Sequence, residues 1–350
     1  MAPWVGGRGD PSASSETRSP DSCHARSLHA VTTTTTTPDV HLKMSAVDWA
    51  TLALPGLVWG TSFYFIAEGL QAFPAALITP MRVGFGALTL GLFPAARRVR
   101  IDRVDMPRIV LLGVIWMAIP LSIFPFAEER VSSSVTGMLN GATPLFIAVV
   151  AAFMARRLPP KQQMVGVAVG FSGVVLIAVA SGSGGDNSWF GIGLIFVALV
   201  FYGVSLNLAV PLQQKYGGLP VLWRAQMIAF VLVTPFAIPS LSDVRFAWGP
   251  FLAVVALGVF GTALAFVVMA SNAGRLGSTR ASVSVYIVPV VSLLLGALVR
   301  HESVAVLAIV GCAIAILGAS RPTLRLELAT FRSQRAAHVL AETVSLDEPA

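Results

Sequence analysis

Ten stretches of this 350-residue chain are apolar over close to twenty positions each and nearly free of charge. They run 47–67, 74–95, 107–127, 131–154, 164–181, 189–210, 219–239, 248–270, 281–299 and 304–319, the last being the shortest. At 1.5 Å of rise per residue, about 17–25 such residues cross the roughly 30 Å hydrocarbon layer of a bilayer. In lipid every backbone polar group needs a partner inside the protein, which leaves helices or closed barrels. The runs lack the period-two alternation of barrel strands, so they predict helices. The composition agrees: only 12% of residues are charged, against about 25% in a soluble domain, and the mean hydropathy is +0.77. A soluble enzyme, a disordered protein and a disulfide scaffold are excluded. The two cysteines, Cys23 in a polar segment and Cys312 in an apolar run, are expected to be unpaired thiols.

The ends differ in kind. Residues 1–43 are rich in Ser, Thr, Pro, Gly and Arg and include the run Thr32–Thr37. Such a segment buries too little apolar surface to offset its ordering entropy, so it predicts a disordered tail. Met44 stands directly before the first run and is the expected start, with residues 1–43 either an over-extended reading frame or such a tail. Residues 321–350 read as a second tail on the cytoplasmic side, with Leu324, Leu328 and Phe331 at helical spacing among arginines. Lys and Arg favour the cytoplasmic side of a membrane protein. With the N-terminus inside, 20 of the 24 Lys and Arg are cytoplasmic and three are outside, while Arg82 lies within a span. Both termini are therefore expected in the cytoplasm, in a multi-pass protein of the cytoplasmic membrane. The basic pI near 10.1 is then an orientation signal and not a nucleic-acid footprint.

The chain resembles itself at half its length. An offset of 145 residues carries Gly113 onto Gly258, Arg130 onto Arg275, Ser133 onto Ser278, Pro144 onto Pro289, Gly166 onto Gly311 and Gly173 onto Gly318. An offset of 142–143 carries Trp59-Gly60 onto Tyr202-Gly203, Ser62 onto Ser205 and Arg82 onto Arg224. Each half holds five runs, an odd number, so the second must insert upside down relative to the first. The fold class expected is an all-α membrane protein with ten transmembrane helices as two inverted five-helix repeats, 44–181 and 189–320. Inverted repeats with helix-breaking residues at matching places are a signature of secondary transporters.

These residues carry a family likeness. Trp59-Gly60-Thr61-Ser62-Phe63 in the first span, an Arg in the second, Pro144 and Pro289 in spans four and nine, and Arg300-His301-Glu302 before Gly311 and Gly318 resemble the EamA-type transporters of the drug/metabolite superfamily. One departure is that the repeat partner of Glu302 is Arg157, where the family often carries a second Glu. The resemblance implies export or exchange of small organic metabolites such as amino acids or drugs. It also implies a central cavity between the repeats, lined by spans one, three, four, six, eight and nine, and alternating access.

Little else in the chain can do chemistry. Lys43, Lys161 and Lys215 are its only lysines and none sits in a P-loop, so ATP-driven transport by this chain alone is excluded. No His lies within a span, so neither a metal site nor a cofactor is expected. The polar residues inside spans are then the candidates. Trp59, Thr61, Ser62 and Tyr64 cluster in span one, Tyr202, Ser205 and Asn207 occupy the matching stretch of span six, and Asn140 and Tyr286 lie beside the prolines of spans four and nine. Hydroxyls, amides and aromatic rims suit a cavity for a small amphiphilic solute. The same residue types also glue helices together or mark the membrane interface. Arg82, about 12 Å into span two, attracts an anionic group or pairs with Glu68, the only acid expected near a span interior. The partners expected are a small-molecule substrate and the lipid bilayer, with a homodimer left open. A membrane-embedded enzyme acting on lipid or isoprenoid substrates, and a non-transporting sensor or scaffold, stand as the alternatives.

Overall fold

The structure is a computed structural model that describes residues 45–156, 158–182, 187–276 and 282–320. The two tails, Cys23, Met44 and Arg157 lie outside the described residues. Among the described residues ten apolar helices follow one another: α1 Ala46–Gly69, α2 Ala75–Gly91, α3 Met106–Glu128, α4 Ser133–Ala155, α5 Lys161–Gly182, α6 Trp189–Tyr216, α7 Gly218–Asp243, α8 Trp248–Asn272, α9 Ser284–Leu298 and α10 Val306–Ser320. Seven are long and apolar enough to cross a membrane, while α2, α9 and α10 are shorter. The chain is an all-α, multi-pass membrane protein.

Local chemistry explains the boundaries. Ser45 caps α1: its Oγ accepts from Asp48 N–H, and the Asp48 carboxylate accepts from Ser45 N–H at 3.0 Å. The second apolar run reaches residue 95, but α2 stops at Gly91 because Pro94 holds Phe93 extended and opens a separate turn at Pro94–Arg98. α6 and α7 are joined by Gly217 alone, whose φ of +86° no residue with a Cβ adopts easily.

Prolines inside helices leave carbonyls without an N–H four residues on, and lipid supplies no substitute. Side chains fill the gap. Pro55 frees the Thr51 carbonyl, which accepts from Asn272 Nδ2 of α8 at 2.6 Å. Pro125 frees the Leu121 carbonyl, which accepts from Thr79 Oγ1 of α2 at 2.9 Å. Pro144 frees Asn140, which accepts from Thr143 Oγ1 at 2.6 Å, at the break that splits α4 near Gly141. Wider π turns interrupt α3 over Gly113–Ala118 and α8 over Leu257–Leu264.

Packing pairs α1 with α9, α4 with α6 and α9, α2 with α7 and α8, and α3 with α6. α5 and α10 cross where Gly173 approaches Gly311 and Gly318 approaches Gly166 and Gly170, contacts that a Cβ on either helix would block. Two ends result. One is rich in arginine, and there Lys215 bridges Asp102 and Asp105 at 2.8 Å each. Those bonds and the Tyr216 hydroxyl hold both carboxyls below the usual carboxylate range. The other end carries Glu68, Glu128, Arg300 and Glu302.

Candidate functional site

A cavity of about 680 Å³ opens among α1–α9. Its lining reaches the arginine-rich end at Gln163, Gln213, Gly218, Leu219, Met269 and Ala270, which are part-exposed or exposed there and form its mouth. Its walls are aromatic: Trp59, Phe63, Trp116, Phe124, Tyr202 and Phe266. The rings fix one another, Phe266 lying edge-on to Trp59 at 5.1 Å and to Trp116 at 5.9 Å, and Phe63 edge-on to Phe124 at 5.7 Å. Trp59 is further held by its Nε1–H, which donates to the Gly261 carbonyl in the π turn of α8 at 3.0 Å.

Polar groups are few. Arg82 is 7% exposed, and its Nε donates to Thr262 Oγ1 at 2.8 Å. Thr262 Oγ1 in turn donates to the Leu257 carbonyl, and Gln226 Nε2 donates to the Thr262 carbonyl at 2.7 Å. The π turn of α8 thus presents one hydroxyl that orients the guanidinium. No other hydrogen bond from Arg82 is made among the described residues, and the side chain lines the cavity. Tyr202 and Glu128 are within its electrostatic range.

Of the residues singled out in the sequence, the structure brings Trp59, Ser62, Arg82, Asn140 and Tyr202 to this cavity. The others sit elsewhere. Thr61 Oγ1 donates to the Val58 carbonyl of its own helix, and Tyr64 packs on Phe65 at 5.7 Å. Ser205 Oγ donates to the Tyr202 carbonyl, and Asn207 Nδ2 to the Ile147 and Gly203 carbonyls, which ties α6 to α4. Tyr286 donates its hydroxyl proton to the Ala319 carbonyl, which ties α9 to α10. The pairing of Arg82 with Glu68 is not found, because Glu68 lies at the far end, in contact with Arg300 and Gln71. Arg224, the repeat partner of Arg82, donates to the Ala96, Val99 and Pro220 carbonyls at the arginine-rich end.

At the end opposite the mouth, beyond the cavity lining, a polar lock joins α4 to the connection between α9 and α10. The Glu302 carboxylate accepts from Ser133 N–H at 3.1 Å, Ser133 Oγ at 2.7 Å, Ser134 N–H at 2.8 Å and Ser134 Oγ at 2.6 Å. It so caps the positive end of α4 from another element. Burial alone raises a carboxyl's pKa, but the Ser134 and Ser133 bonds outweigh it and hold Glu302 below the usual range. Arg300 joins Glu302, at 3.3 Å, to Glu68. The sequence reading missed Glu128, which ends α3 with both carboxylate oxygens buried and without a hydrogen-bond partner among the described residues. A signal was present: Met117, Leu121 and Phe124 line the cavity at spacings of four and three, and Glu128 continues that stripe.

Comparison with known proteins gives the class. The EamA-like transporter family matches residues 49–179 and again residues 189–320. A probable terminal-alkyne amino-acid exporter of Streptantibioticus cattleyicolor is 29% identical over 79% of this chain and 93% of its own length. An uncharacterized transporter of Archaeoglobus fulgidus is 25% identical over 77% and 96%, and the inner membrane transporter YedA of Escherichia coli K12 is 24% identical over 69% and 78%. A solved crystal structure covering 81% of this chain and 100% of its own superposes with a TM-score of 0.58 at 21% identity, a likeness of fold. The doubled match across the membrane part leaves one conclusion: the chain belongs to the EamA-like transporter family and is a secondary transporter of small organic metabolites.

Proposed function

We propose that the protein exports or exchanges a small carboxylate-bearing metabolite of the amino-acid class by alternating access, and that this structure is its inward-open state. The carrying observation is the cavity whose lining runs to the arginine-rich end and stops short of the bonded cluster of Glu302, Ser133, Ser134, Arg300 and Glu68 at the other. The excess of Lys and Arg at the open end supports a cytoplasmic placement of that end. The solute's carboxylate pairs with Arg82, its apolar part lies among Trp59, Phe63, Trp116 and Phe266, and Ser62, Asn140 and Tyr202 supply hydrogen bonds. Asn207 and Tyr286 hold the helices that frame this site. The amino-acid class is supported by the name of the exporter from Streptantibioticus cattleyicolor and by the buried cation.

The repeats 44–181 and 189–320 are inverted in this reading, with all ten helices spanning. Matching close contacts support it. Gly60 packs on Val288 and Val291 of α9, and Gly203, 143 residues later, packs on Phe146 and Val150 of α4. Gly113 packs on Ala225 and Ile228 of α7, and Gly258 packs on Arg82 and Phe85 of α2. The Gly173–Gly311 approach has its image in Gly318–Gly166. Each helix of one half thus meets the other half as its repeat partner does, which is the symmetry that two alternative packings of similar energy require. Exchanging them moves the opening from one face to the other.

Counterflow in proteoliposomes tests the reading. Vesicles loaded with unlabelled amino acids, including a terminal-alkyne amino acid, are expected to accelerate uptake of the labelled solute. Arg82→Gln is expected to reduce that rate at least about tenfold, equivalent to about 1.4 kcal/mol, and Trp59→Ala to weaken apparent affinity. Counterflow that survives Arg82→Gln unchanged removes the carboxylate assignment, and its absence over the whole panel removes the amino-acid class.

A further inference from the structure

We propose that Glu128 is a proton-binding site whose charge state is linked to the opening of the outer lock, so that transport by this protein is coupled to protons. The proposal rests on the alternating-access reading above.

Three acids gather at the closed end, and two are engaged. Glu68 is paired with Arg300, and Glu302 receives four hydrogen bonds from Ser133 and Ser134 and one from Arg300. Glu128 receives none among the described residues, although both of its oxygens are buried. An ionised carboxylate withdrawn from water without donors is strongly disfavoured, and a neutral acid is much less so. The charged groups within range are Arg82 on α2 and Arg300 and Glu302 between α9 and α10, with the Tyr202 phenol of α6 beside Arg82. On its own chain the next residues, Glu129 and Arg130, are exposed and paired with each other.

Neither cation makes a hydrogen bond to Glu128 here. Arg300 is held by Glu68 and Glu302, and Arg82 is turned to Thr262 by its Nε. Parting the lock changes both conditions at once. Water reaches the end of α3, and Arg300 loses the partners that hold it away. A proton on Glu128 therefore favours the closed lock, and its loss to the outer water favours the open one. Glu128 also continues the cavity stripe of α3 and acts electrostatically on Arg82, so occupancy of Arg82 by an anionic solute and the charge on Glu128 bias one another.

The test needs no substrate, because the proton is the ligand. Spin labels at Gln71 and Ser303, on the two sides of the lock, report its opening in proteoliposomes with Cys23 and Cys312 replaced by alanine. In the otherwise unaltered protein the ratio of wide to narrow separations is expected to rise with pH, by up to about tenfold per unit for one linked proton. Glu128→Gln, a permanently neutral copy, is expected to stay narrow at every pH, while Glu128→Asp keeps the slope with a displaced midpoint. Glu302→Gln is expected to raise the wide population and retain the slope. If Glu128→Gln opens with the unaltered pH profile, the proton site is overturned and alternating access stands. If no variant shows a wide separation at any pH, both fall. Should Glu128→Gln not fold, an unchanged midpoint in Glu128→Asp overturns the proposal.

Discussion

At the scale of single residues, the bundle is governed by what happens to carbonyls that proline leaves free. The Leu121 carbonyl is the clearest case, since Pro125 removes its helical donor and Thr79 reaches across from α2 to replace it. Thr79→Val is expected to lower stability by about 0.5–2 kcal/mol, the range for buried hydrogen bonds with membrane values at its lower end. In a Pro125→Ala background the Leu121 carbonyl regains an N–H, so the same substitution is expected to cost clearly less. A double-mutant cycle of unfolding in detergent measures the difference, and equal costs in both backgrounds would show that the bond carries no such role. The prolines are visible in the sequence, but their partners Thr79 and Asn272 are not. A partner on another helix is set by packing, and local pattern says nothing of it. The polar residues of the spans divide for the same reason. Trp59, Ser62, Asn140 and Tyr202 reach the cavity, whereas Asn207 and Tyr286 donate to carbonyls of neighbouring helices. Lining and glue use the same residue types, and only the facing helix decides. Glu128 escaped because it stands one position beyond the apolar run, where an acid reads as an ordinary interface residue.

Between elements, the junction of α4 with the α9–α10 connection carries the most concentrated chemistry. Ser133 and Ser134 present two helix-terminal N–H groups and two hydroxyls, and Glu302 accepts all four. Glu302→Ala strands those donors and is expected to lower stability by about 1.5–3 kcal/mol, the range for hydrogen bonds to a charged group. The pH dependence has a definite sign. Glu302 is held below its unfolded value of about 4.3, so its contribution is complete above that value and is lost as pH falls through the lower, folded one. The stability difference between the unaltered protein and Glu302→Gln is therefore expected to be flat from pH 6 to 8 and to shrink below about pH 4. A difference that changes near neutrality would mean that Glu302 titrates there, contrary to its four donors. The same flatness separates this lock residue from Glu128, whose expected linkage lies with opening. At this scale the sequence was legible in part. Arg300-His301-Glu302 stood out as a motif, but its partners lie some 169 residues away and no periodicity points to them. The interruption of α2 at Pro94 and the π turns of α3 and α8 were likewise hidden inside apolar runs, because hydropathy averages over the breaks that shape a helix.

For the whole molecule, the orientation of the bundle decides what the cavity is for. Ten apolar runs and a repeat offset near 145 residues were enough to foresee an all-α membrane chain of two related halves, because span length and positive charge are one-dimensional signals. The direction in which the cavity opens is a different matter, since in the proposed alternating-access reading it selects one of two packings. Here the mouth lies at the end rich in arginine, between the starts of α5 and α7 and the ends of α6 and α8. If that end is cytoplasmic, the solute loads from inside, which suits export, and the Glu302 lock faces outward. Single cysteines test this in whole cells with Cys23 and Cys312 replaced. A membrane-impermeant maleimide is expected to label Gln71→Cys in intact cells and Arg103→Cys only after the membrane is permeabilised. Both positions are exposed and stand at opposite ends of the bundle. The reverse pattern would turn the assignment over: the cavity would open outward, loading from the external medium would be favoured, and the proton taken up by Glu128 would come from the cytoplasm.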